Sequence, residues 1–495
     1  MKEVSRDIII NDYEKFVRVA EKLVAKNHLQ SACVVIDTCV RIAYNFNFIY
    51  ADDRLEALMS KITTAKLRTT SWTPKENKYV FYDYFGNTKV LTQQYLRALM
   101  SWGVEFMYLL EEANPEKNAV ILQEIHNYDK ATVAILKKGS RFEKMEEMHT
   151  IITKYQPKKA FLHMAPWDLV GVCVWNELNQ VDRYLINLTD HAFWLGKGCA
   201  DYILEFRKYG FNLSLKNRGI AIDKLLYQPY YPIATEHEFQ GFPIDVTGKI
   251  VAFSGASFYK IYGRSGKFLY LIKKILDQNK NLIFFLAGWG IDDPIKKFIH
   301  ENNFNDRFFL LGERKDISQV FQHIDIFINT YPFIGGLMTQ LAVLNKKPIV
   351  SYTSSDLNFN YIEDFLDVDS TMISSFKTEE GFVEEVTKLV NDKAYRERNV
   401  TQYKDSIPSE DQFNDKLWAN CNDSNSNNLG LKSSIEINND AIFDLYLEVE
   451  NNYLRLYEKL KLINLGPLYF RYFPFDALKC SLLILFFDFK VIKKI

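Results

Sequence analysis

The hydrophobic positions near the start of the chain follow a helical period. Between residues 10 and 66 apolar residues recur every three or four positions, which places them on one face of a helix. We therefore predict a small unit of helices here, with too few copies for a repeat array. The apolar positions that define it are Tyr13, Phe16, Val17, Ala20, Leu23 and Val24, followed by Ile36, Cys39, Val40 and Ala43.

From residue 78 the pattern changes to short apolar strands that alternate with helices. Alternation of this kind is typical of a mostly parallel sheet that helices cover on both faces. The predicted strands are "KYVFYDYF", "VEFMYLL", "ATVAIL", "KAFLHMA" and "RYLINL", and the clearest helices are "TKVLTQQYLRALMSWG" and "RFEKMEEMHTIITKYQ".

The same alternation begins again at Lys249. The stretch before it, "LLYQPYYPIATEHEFQGFPID", is rich in Pro and aromatic residues and has no clear period, so we interpret it as the connection between two domains. The second series predicts strands in "KIVAFSG", "NLIFFLAGWG", "RFFLLG", "DIFINT" and "KPIVSY", and helices in "SGKFLYLIKKILDQ", "DDPIKKFIHENN", "DISQVFQHI" and "GLMTQLAVLN".

The C-terminal fifth of the chain has two different patterns. Residues 420–440 are rich in Asn and Ser and predict a loop. From 442 to 460 apolar residues step by four and three, which predicts a helical seam that packs on the body of the protein or, alternatively, on a second copy in a dimer. The segment that ends at Ile495 mixes apolar residues with lysines, so it predicts a docked terminal helix or a helix lying on a membrane surface.

These patterns define an α/β fold class with two Rossmann-like domains that face each other across a cleft. Helices precede and follow the two domains. The predicted segments are a helical N-terminal unit at 1–72, a first Rossmann-like domain at 76–240, a second at 241–400, a polar loop at 401–440 and C-terminal helices at 441–495.

Composition narrows the class of protein. A chain of 495 residues is too long for one core, and a formal net charge of −1 gives no reason to expect nucleic-acid binding. The six cysteines form no CxxC pair and the eight histidines have no metal-ligand spacing, so we predict buried thiols and no metal site. The start of the chain lacks a signal pattern, and the tract "CSLLILFF" is too short to span a membrane. We expect a cytoplasmic protein, with a peripheral position at the inner face of the membrane as the alternative.

The stretch "FINTYPFIGGLMTQLAV" carries the main chemical signal, because two adjacent glycines separate a strand from a helix. Gly335 and Gly336 would let a ligand approach the backbone, and the N–H groups of a helix start favour an anion such as phosphate. An ordinary tight turn is the alternative. The chain has no G-x-G-x-x-G after its first strand and no G-x-x-x-x-G-K-[ST], so a dinucleotide dehydrogenase or P-loop enzyme is not supported.

Four stretches of the second domain carry a family resemblance: "FSGASFYKIYGR", "LAGWG", "LLGERKDISQVFQHIDIFINTYPFIGG" and "LAVLNKKPIVSY". Their order and spacing resemble the nucleotide-sugar-binding half of GT-B-fold glycosyltransferases. The resemblance covers roughly 78–400, is strongest over 249–352, and is most similar to the O-GlcNAc-transferase-like branch. It implies a nucleoside diphosphate sugar as substrate, with UDP the expected nucleotide, and neither a cofactor nor a metal.

The resemblance also implies roles for residues on the donor side. Gly335, Gly336 and Thr339 match the diphosphate cradle at the loop-to-helix junction. Lys260 and Arg264 match cations that neutralise the departing diphosphate, and their spacing would let them share one helical face. Surface charge is the alternative for these two cations.

Five further positions belong to the same implied donor site. Gly255 and Gly288 end strands at the cleft and would allow a ligand to approach. Arg314 and Lys315 lie in the loop that contacts the nucleotide base in the family. Gln340 stands close to where many members carry an acid that contacts the ribose or sugar, so the amide would take over the hydrogen bonds there.

The resemblance also implies that the acceptor binds on the side of the first domain. His191 ends a strand of that domain and is the candidate general base, because an imidazole that titrates near neutrality can take the proton of an attacking hydroxyl. Asp190 would orient the ring or be the base itself. Gly86 and Asn87 in the "FGNT" loop face the same cleft and are candidates for acceptor contact.

The first hypothesis is therefore a metal-independent glycosyltransferase acting on a hydroxyl of a glycan, a lipid-linked intermediate or a protein. A non-catalytic partner protein with a degenerate transferase fold is the second, favoured by Gln340 and by the apolar seam at 442–460. A nucleotide-sugar epimerase is a third, disfavoured because no acid and base carboxylate pair stands out.

Overall fold

Two parallel sheets form the body of the protein, and the strands of each are joined by helices. They confirm the prediction of two Rossmann-like domains. The domain limits stay predictions, but the strands themselves lie within 75–227 and 250–376. The computed structural model describes residues 3–86, 89–112, 115–234, 237–357, 360–368, 374–403, 405–422 and 436–487.

Three helices precede the first sheet, as the helical period predicts. The apolar side chains of the first two, such as Phe16 and Ile36, are buried in a core that they share with the first sheet and the C-terminal helices. The three helices are α1 (Arg6–Ala25), α2 (Leu29–Phe46) and α3 (Asp53–Lys66).

The first sheet has seven parallel strands. They are β1 (Lys75–Asp83), β2 (Glu105–Leu110), β3 (Ala131–Ile135), β4 (Pro157–His163), β5 (Asp182–Asn187), β6 (Tyr202–Glu205) and β7 (Leu225–Tyr227). Their order is β3-β2-β1-β4-β5-β6-β7, which reverses direction between β1 and β4. Ligands of such sheets bind beyond the carboxyl ends of the strands.

The first five strands confirm the prediction from apolar runs, whereas β6 and β7 were not predicted. Both are short, and β7 falls within the stretch that we interpreted as the connection between the domains. The connection therefore begins after Tyr227. The helices of this domain are α4 (Lys89–Ser101), α5 (Pro115–His126), α6 (Arg141–Tyr155), α7 (Leu169–Glu177) and α8 (Lys208–Lys216).

The second sheet repeats this design with six strands. They are β8 (Ile250–Gly255), β9 (Leu282–Ala287), β10 (Phe308–Gly312), β11 (Ile326–Ile328), β12 (Ile349–Tyr352) and β13 (Ser375–Phe376), in the order β10-β9-β8-β11-β12-β13. The switch point lies between β8 and β11. The helices are α9 (Lys267–Gln278), α10 (Asp293–Glu301), α11 (Ile317–Val320), α12 (Gly336–Leu344), α13 (Ile362–Leu366), α14 (Glu379–Asn391) and α15 (Lys393–Asn399).

The interval 401–440 is not a single loop, which corrects the sequence prediction. Helix α16 (Glu410–Asn422) lies within it, and Phe413 and Leu417 are buried against the first sheet. Lys159 anchors the end of this helix by donating to the carbonyl of Cys421 at 2.6 Å. The chain therefore returns from the second domain to pack on the first.

The apolar seam at 442–460 packs on the body, with Ile442 and Val449 buried, but it does not form one helix. Arg455 adopts a left-handed conformation with φ 52°, and this position divides the seam into two helices. The remaining helices are α17 (Asn439–Val449), α18 (Tyr457–Leu465), α19 (Pro467–Tyr472) and α20 (Pro474–Phe487).

Polar contacts hold the C-terminal helices against α1. Asp12 accepts from the Tyr457 hydroxyl and from the Lys461 ammonium, both at 2.9 Å. Arg6 pairs with Asp440 and with Asp444 at the start of α17. Helices α1, α17 and α18 therefore pack together beside the sheets. Within the described ranges, no helix combines the length and hydrophobicity needed to cross a membrane.

We expect Leu417→Ala to lower the free energy of unfolding by about 2–5 kcal/mol, because it opens a cavity where α16 meets the first sheet. The exposed neighbour Lys416 provides the matched control, and Lys416→Ala should change stability by less than about 0.5 kcal/mol. Urea denaturation of both variants measures the difference. Equal stabilities would show that α16 does not dock on the sheet.

Candidate active site

A cavity of about 180 Å³ lies where the two domains face each other. The first domain contributes the segments that follow β5 and β6, and the second contributes the segment after β8 and the start of α12. The lining residues are Leu188, Asp190, His191, Phe206, Arg207, Tyr230, Tyr259, Lys260, Phe333, Ile334, Gly336, Leu337 and Phe365. The predicted residues His191, Asp190, Lys260 and Gly336 thus lie around one cavity.

The paired glycines form the start of α12 at this cavity. The N–H of Gly335 donates to the side-chain oxygen of Asn329 at 3.0 Å, which fixes the turn before the helix. A Cβ on Gly336 would lie 3.2 Å from the ring of Phe365 and 3.3 Å from the hydroxyl of Tyr230. Gly336 therefore allows close packing at the wall, where the first N–H groups of the helix have no partner within it.

Thr339 supports this turn from below. Its hydroxyl donates to the carbonyl of Gly335 at 3.0 Å, and the residue is fully buried. Thr339 thus stabilises the start of α12, and the cavity is lined by Gly336 and Leu337 instead.

Lys260 places an ammonium group at the cavity. It belongs to a 3-10 turn, Phe258–Ile261, that follows β8, and its Nζ donates to the carbonyl of Ile334 at 3.0 Å. Burial, and secondarily the nearby charge of Arg207, lowers the pKa of Lys260 to about 8. An anion bound in the cavity would therefore stabilise the charged amine.

Arg264 does not share a helical face with Lys260, which corrects the sequence prediction. Gly263 and Arg264 have φ values of 98° and 50°, so no helix continues through them. The guanidinium pairs with Asp356, and the backbone N–H of Arg264 donates to Glu448 at 2.8 Å. Arg264 therefore joins the second domain to α17, outside the cavity.

Asp190, Arg207 and His191 form a linked group on the opposite wall. Arg207 Nη2 donates to Asp190 Oδ1 at 2.9 Å, and both side chains are almost fully buried. His191 Nδ1 lies 3.3 Å from Asp190 Oδ1, and the ring is one-third exposed. Burial would raise the pKa of Asp190, but the charge of Arg207 and the hydrogen bonds hold it below its usual value.

A second buried layer supports this group. Arg218 donates to the carbonyls of Asp190 at 2.9 Å and Ala192 at 2.6 Å, so it clamps the segment that carries His191. Its neighbour Glu205 accepts from the amide of Asn187 at 2.9 Å. Burial raises the pKa of Glu205 to about 7, although the charge of Arg218 acts in the opposite direction.

Gly255 and Gly288 serve the packing of loops at the cleft. A Cβ on Gly288 would lie 1.8 Å from the carbonyl oxygen of Ala256, and the residue has a φ of 150°. A Cβ on Gly255 would lie 2.9 Å from the sulfur of Met338 on α12. Both glycines therefore let neighbouring segments approach each other closely.

Arg314, Lys315 and Gln340 lie outside the cavity. Arg314 donates to Asp316 at 2.7 Å and to the carbonyl of Gly241 at 2.9 Å, so it holds the connection between the domains. Lys315 is exposed in the same loop. The amide of Gln340 donates to the carbonyl of Tyr230 at 2.7 Å, again at the connection.

The predicted acceptor loop follows β1. The N–H of Gly86 donates to Asp83 at 3.2 Å, and Asp83 pairs with the buried His163 at 3.0 Å. Gly86 lies outside the lining of the cavity, and Asn87 lies outside the described residues.

Sequence reasoning missed Arg207, Tyr259 and Phe333. The signal for Arg207 is the run "YILEFRKYG", in which Arg207 and Lys208 follow an apolar strand after one further residue, Phe206. That strand, β6, was not predicted, so its end was not recognised as part of the cleft. The aromatic residues carry no comparable signal, because Tyr and Phe are abundant throughout this chain.

The layer beneath Asp190 should make stability depend on pH. Glu205 binds its proton more tightly in the folded protein than in the unfolded chain, where the pKa is 4.5. Raising the pH from 4.5 to 7 therefore deprotonates the unfolded chain first and lowers the free energy of unfolding, by up to about 3 kcal/mol. Glu205→Gln should remove this contribution.

Urea denaturation at pH 5 and pH 8 measures this effect. Between pH 5 and pH 8 the native protein should lose more free energy of unfolding than Glu205→Gln, so the variant should gain stability relative to the native protein at pH 8. The exposed Glu301 offers a matched control, and Glu301→Gln should follow the native pH dependence. The assignment is wrong if the two variants respond to pH alike.

The chain is similar in structure to known proteins, although its sequence is not. No family model matches the chain, and no curated protein matches it. The chain is similar in structure to HepE from Anabaena in complex with UDP and glucose, with a TM-score of 0.52 and 13% identity over 70% of this chain and 99% of that one. It is also similar to a mutant O-GlcNAc transferase from Thermobaculum terrenum, with a TM-score of 0.51 and 12% identity over 90% and 84%. The chain has the GT-B fold.

Proposed function

We propose that the protein is a glycosyltransferase that moves a sugar from a nucleoside diphosphate, with UDP the expected nucleotide, to an acceptor hydroxyl. One observation carries the proposal: a single cavity has Lys260 and the start of α12 on one wall and His191 on the other. The GT-B fold supports it, because structures with this fold are described with UDP.

The donor diphosphate would lie against the second domain. Its charge would meet the N–H groups at the start of α12 and the amine of Lys260, whose pKa burial lowers to about 8. The proposal assigns neutralisation of the leaving group to these protein groups rather than to a metal ion. Arg207 lies on the opposite wall, where Asp190 compensates its charge.

The acceptor hydroxyl would be activated from the first domain. Because Asp190 is an ionised acceptor, we assign the proton of His191 to Nδ1, which leaves the lone pair of Nε2 for the acceptor. As the acceptor oxygen bonds to the anomeric carbon, its proton passes to Nε2. The bond from that carbon to the diphosphate oxygen breaks, and the diphosphate takes the electron pair.

Asp190 acts as a positioning residue in this proposal. Its carboxylate already accepts from Arg207 and from His191, and its pKa lies below the usual value, so it is a poor base. Asp190 instead orients the imidazole of His191. Arg218 reinforces this orientation by donating to the backbone carbonyls of the same segment.

A non-catalytic partner protein remains the second candidate, because one observation favours it. The family resemblance implies an acid close to position 340, where this chain has Gln340, and the amide of Gln340 is bonded to the connection between the domains, outside the cavity. Such a protein would bind UDP without turning over a UDP-sugar, or would not bind UDP. Membrane contact through the C-terminal segment and dimerisation through 442–460 stay predictions.

Lys260→Met should weaken UDP binding by about 10- to 100-fold, since it removes a charge-assisted hydrogen bond to the diphosphate. Arg264→Met is the matched control, and it should change the Kd by less than about twofold because Arg264 lies outside the cavity. Isothermal titration with UDP measures both. Equal losses would contradict the site, and the absence of UDP binding to the native protein would contradict the donor assignment.

His191→Ala should lower kcat by about 10²- to 10⁴-fold, since it removes the group that takes the acceptor proton. The Kd for UDP should stay unchanged. Release of UDP from UDP-glucose and UDP-N-acetylglucosamine, with a panel of acceptor glycosides, measures kcat. The exposed His300 on α10 serves as the control position, where His300→Ala should keep full turnover. Full turnover by His191→Ala would rule out this role.

A further inference from the structure

A second compartment, of about 250 Å³, adjoins the candidate active site. His191, Tyr259 and Phe333 line both cavities. The proposed base, His191, therefore lies at the boundary between the two. Its other walls come from outside the two sheets. They are the C-terminal end of α2 and the segments of α17 and α18 that carry the apolar seam.

The walls of this compartment are mainly aromatic and aliphatic. Phe46 comes from α2, Tyr446 from α17, and Leu454, Leu456 and Leu460 from the region between α17 and α18 and from α18 itself. Leu456 is 39% exposed, which places part of this wall at the surface. An apolar group of a ligand would be removed from water here, which is the main source of affinity in such pockets.

Two polar groups of the lining, the Glu450 carboxylate and the Tyr457 hydroxyl, are engaged in the protein. Glu450 accepts from the N–H of Tyr457 at 2.6 Å, and burial raises the pKa of Glu450. The hydroxyl of Tyr457 donates away from the compartment, to Asp12 at 2.9 Å. The compartment therefore offers little charge for a phosphate or an ammonium group.

Asn47 supplies one polar group that is suited to a ligand. Its side-chain oxygen accepts from the N–H of Phe193 at 3.0 Å, which fixes the orientation of the amide. Its Nδ2 is buried and finds no partner among the described residues. A buried donor without a partner carries a free-energy cost that an oxygen atom of a ligand would relieve. Asn47 lines the same compartment as His191.

We propose that this compartment binds the apolar aglycone of the acceptor, so that the acceptor is an amphipathic glycoside or alcohol rather than a free sugar. The accepting hydroxyl would lie at His191, an oxygen near it would accept from Asn47, and an alkyl or aryl group would fill the space between α2 and α17–α18. The assignment of the hydroxyl rests on the proposed function. The apolar compartment itself rests on the lining residues alone.

Three glycosides test the proposal by isothermal titration in the presence of UDP: methyl, n-octyl and phenyl β-D-glucoside, below the micelle concentration of the octyl compound. We expect the octyl or phenyl glucoside to bind at least about tenfold more tightly than the methyl glucoside. The octyl and phenyl arms distinguish an alkyl from an aryl aglycone.

Leu454→Trp provides the structural control, because a larger side chain would fill the compartment. It should remove the preference for the apolar glucosides. Ile463→Trp places the same side chain at a position that is 64% exposed, and it should keep the preference. Both variants should bind UDP with the native Kd.

Two results would overturn the proposal: equal affinity for all three glucosides, or a preference that Leu454→Trp leaves intact, which would place the apolar group elsewhere. The UDP titration keeps this test separate from the proposed function. Native UDP binding without a glycoside preference contradicts the acceptor compartment alone. Failure of the native protein to bind UDP contradicts the donor site, while the glycoside preference can still be measured without nucleotide.

Discussion

The buried ion pair between Asp190 and Arg207 is the interaction on which the candidate site depends. It joins the segment after β5 to the segment after β6, so two neighbouring strand ends are fixed relative to each other. A buried pair is expensive to desolvate and costly to break, since removing one partner leaves a charge without compensation. Arg218 supports this pair by donating to the backbone carbonyl of Asp190, and Gly210 provides the space for the carboxylates of Asp190 and Glu205. A Cβ there would lie 2.5 Å from Glu205 and 2.6 Å from Asp190.

The opposite wall is organised by backbone rather than by ion pairs. Gly336 brings the start of α12 against Phe365 and Tyr230, and the 3-10 turn after β8 carries Lys260 to the same place. Burial lowers the pKa of Lys260 in this wall. In the wall of the first domain, Asp190 compensates the charge of Arg207 and orients His191. In the wall of the second domain, no carboxylate of the described residues pairs with the ammonium of Lys260, so this wall favours an anion. Helices α2, α17 and α18 close the adjoining apolar compartment and thereby join the N-terminal and C-terminal helices to the site.

Much of the fold follows from local patterns, and the site follows only in part. Apolar runs bounded by turns predict β1–β5 and β8–β12, because strands buried on both faces are hydrophobic throughout. The short strands β6 and β7 and the helix α16 are determined by contacts with distant segments, such as the bond from Lys159 to Cys421, so the sequence pattern does not reveal them. The same reason explains Arg264 and Gln340. Their roles were implied by the family resemblance, but contacts with Gly263, Asp356 and Tyr230 decide where their side chains lie.

A crystal structure of the protein with UDP bound would test the central claim most directly. The account predicts the diphosphate between Lys260 and the start of α12, with its oxygens within hydrogen-bond distance of Lys260 Nζ and of the first N–H groups of the helix. His191 should face the position where the sugar would attach. A diphosphate bound at Arg264 or Arg314, or UDP found away from the junction of the two domains, would contradict the account.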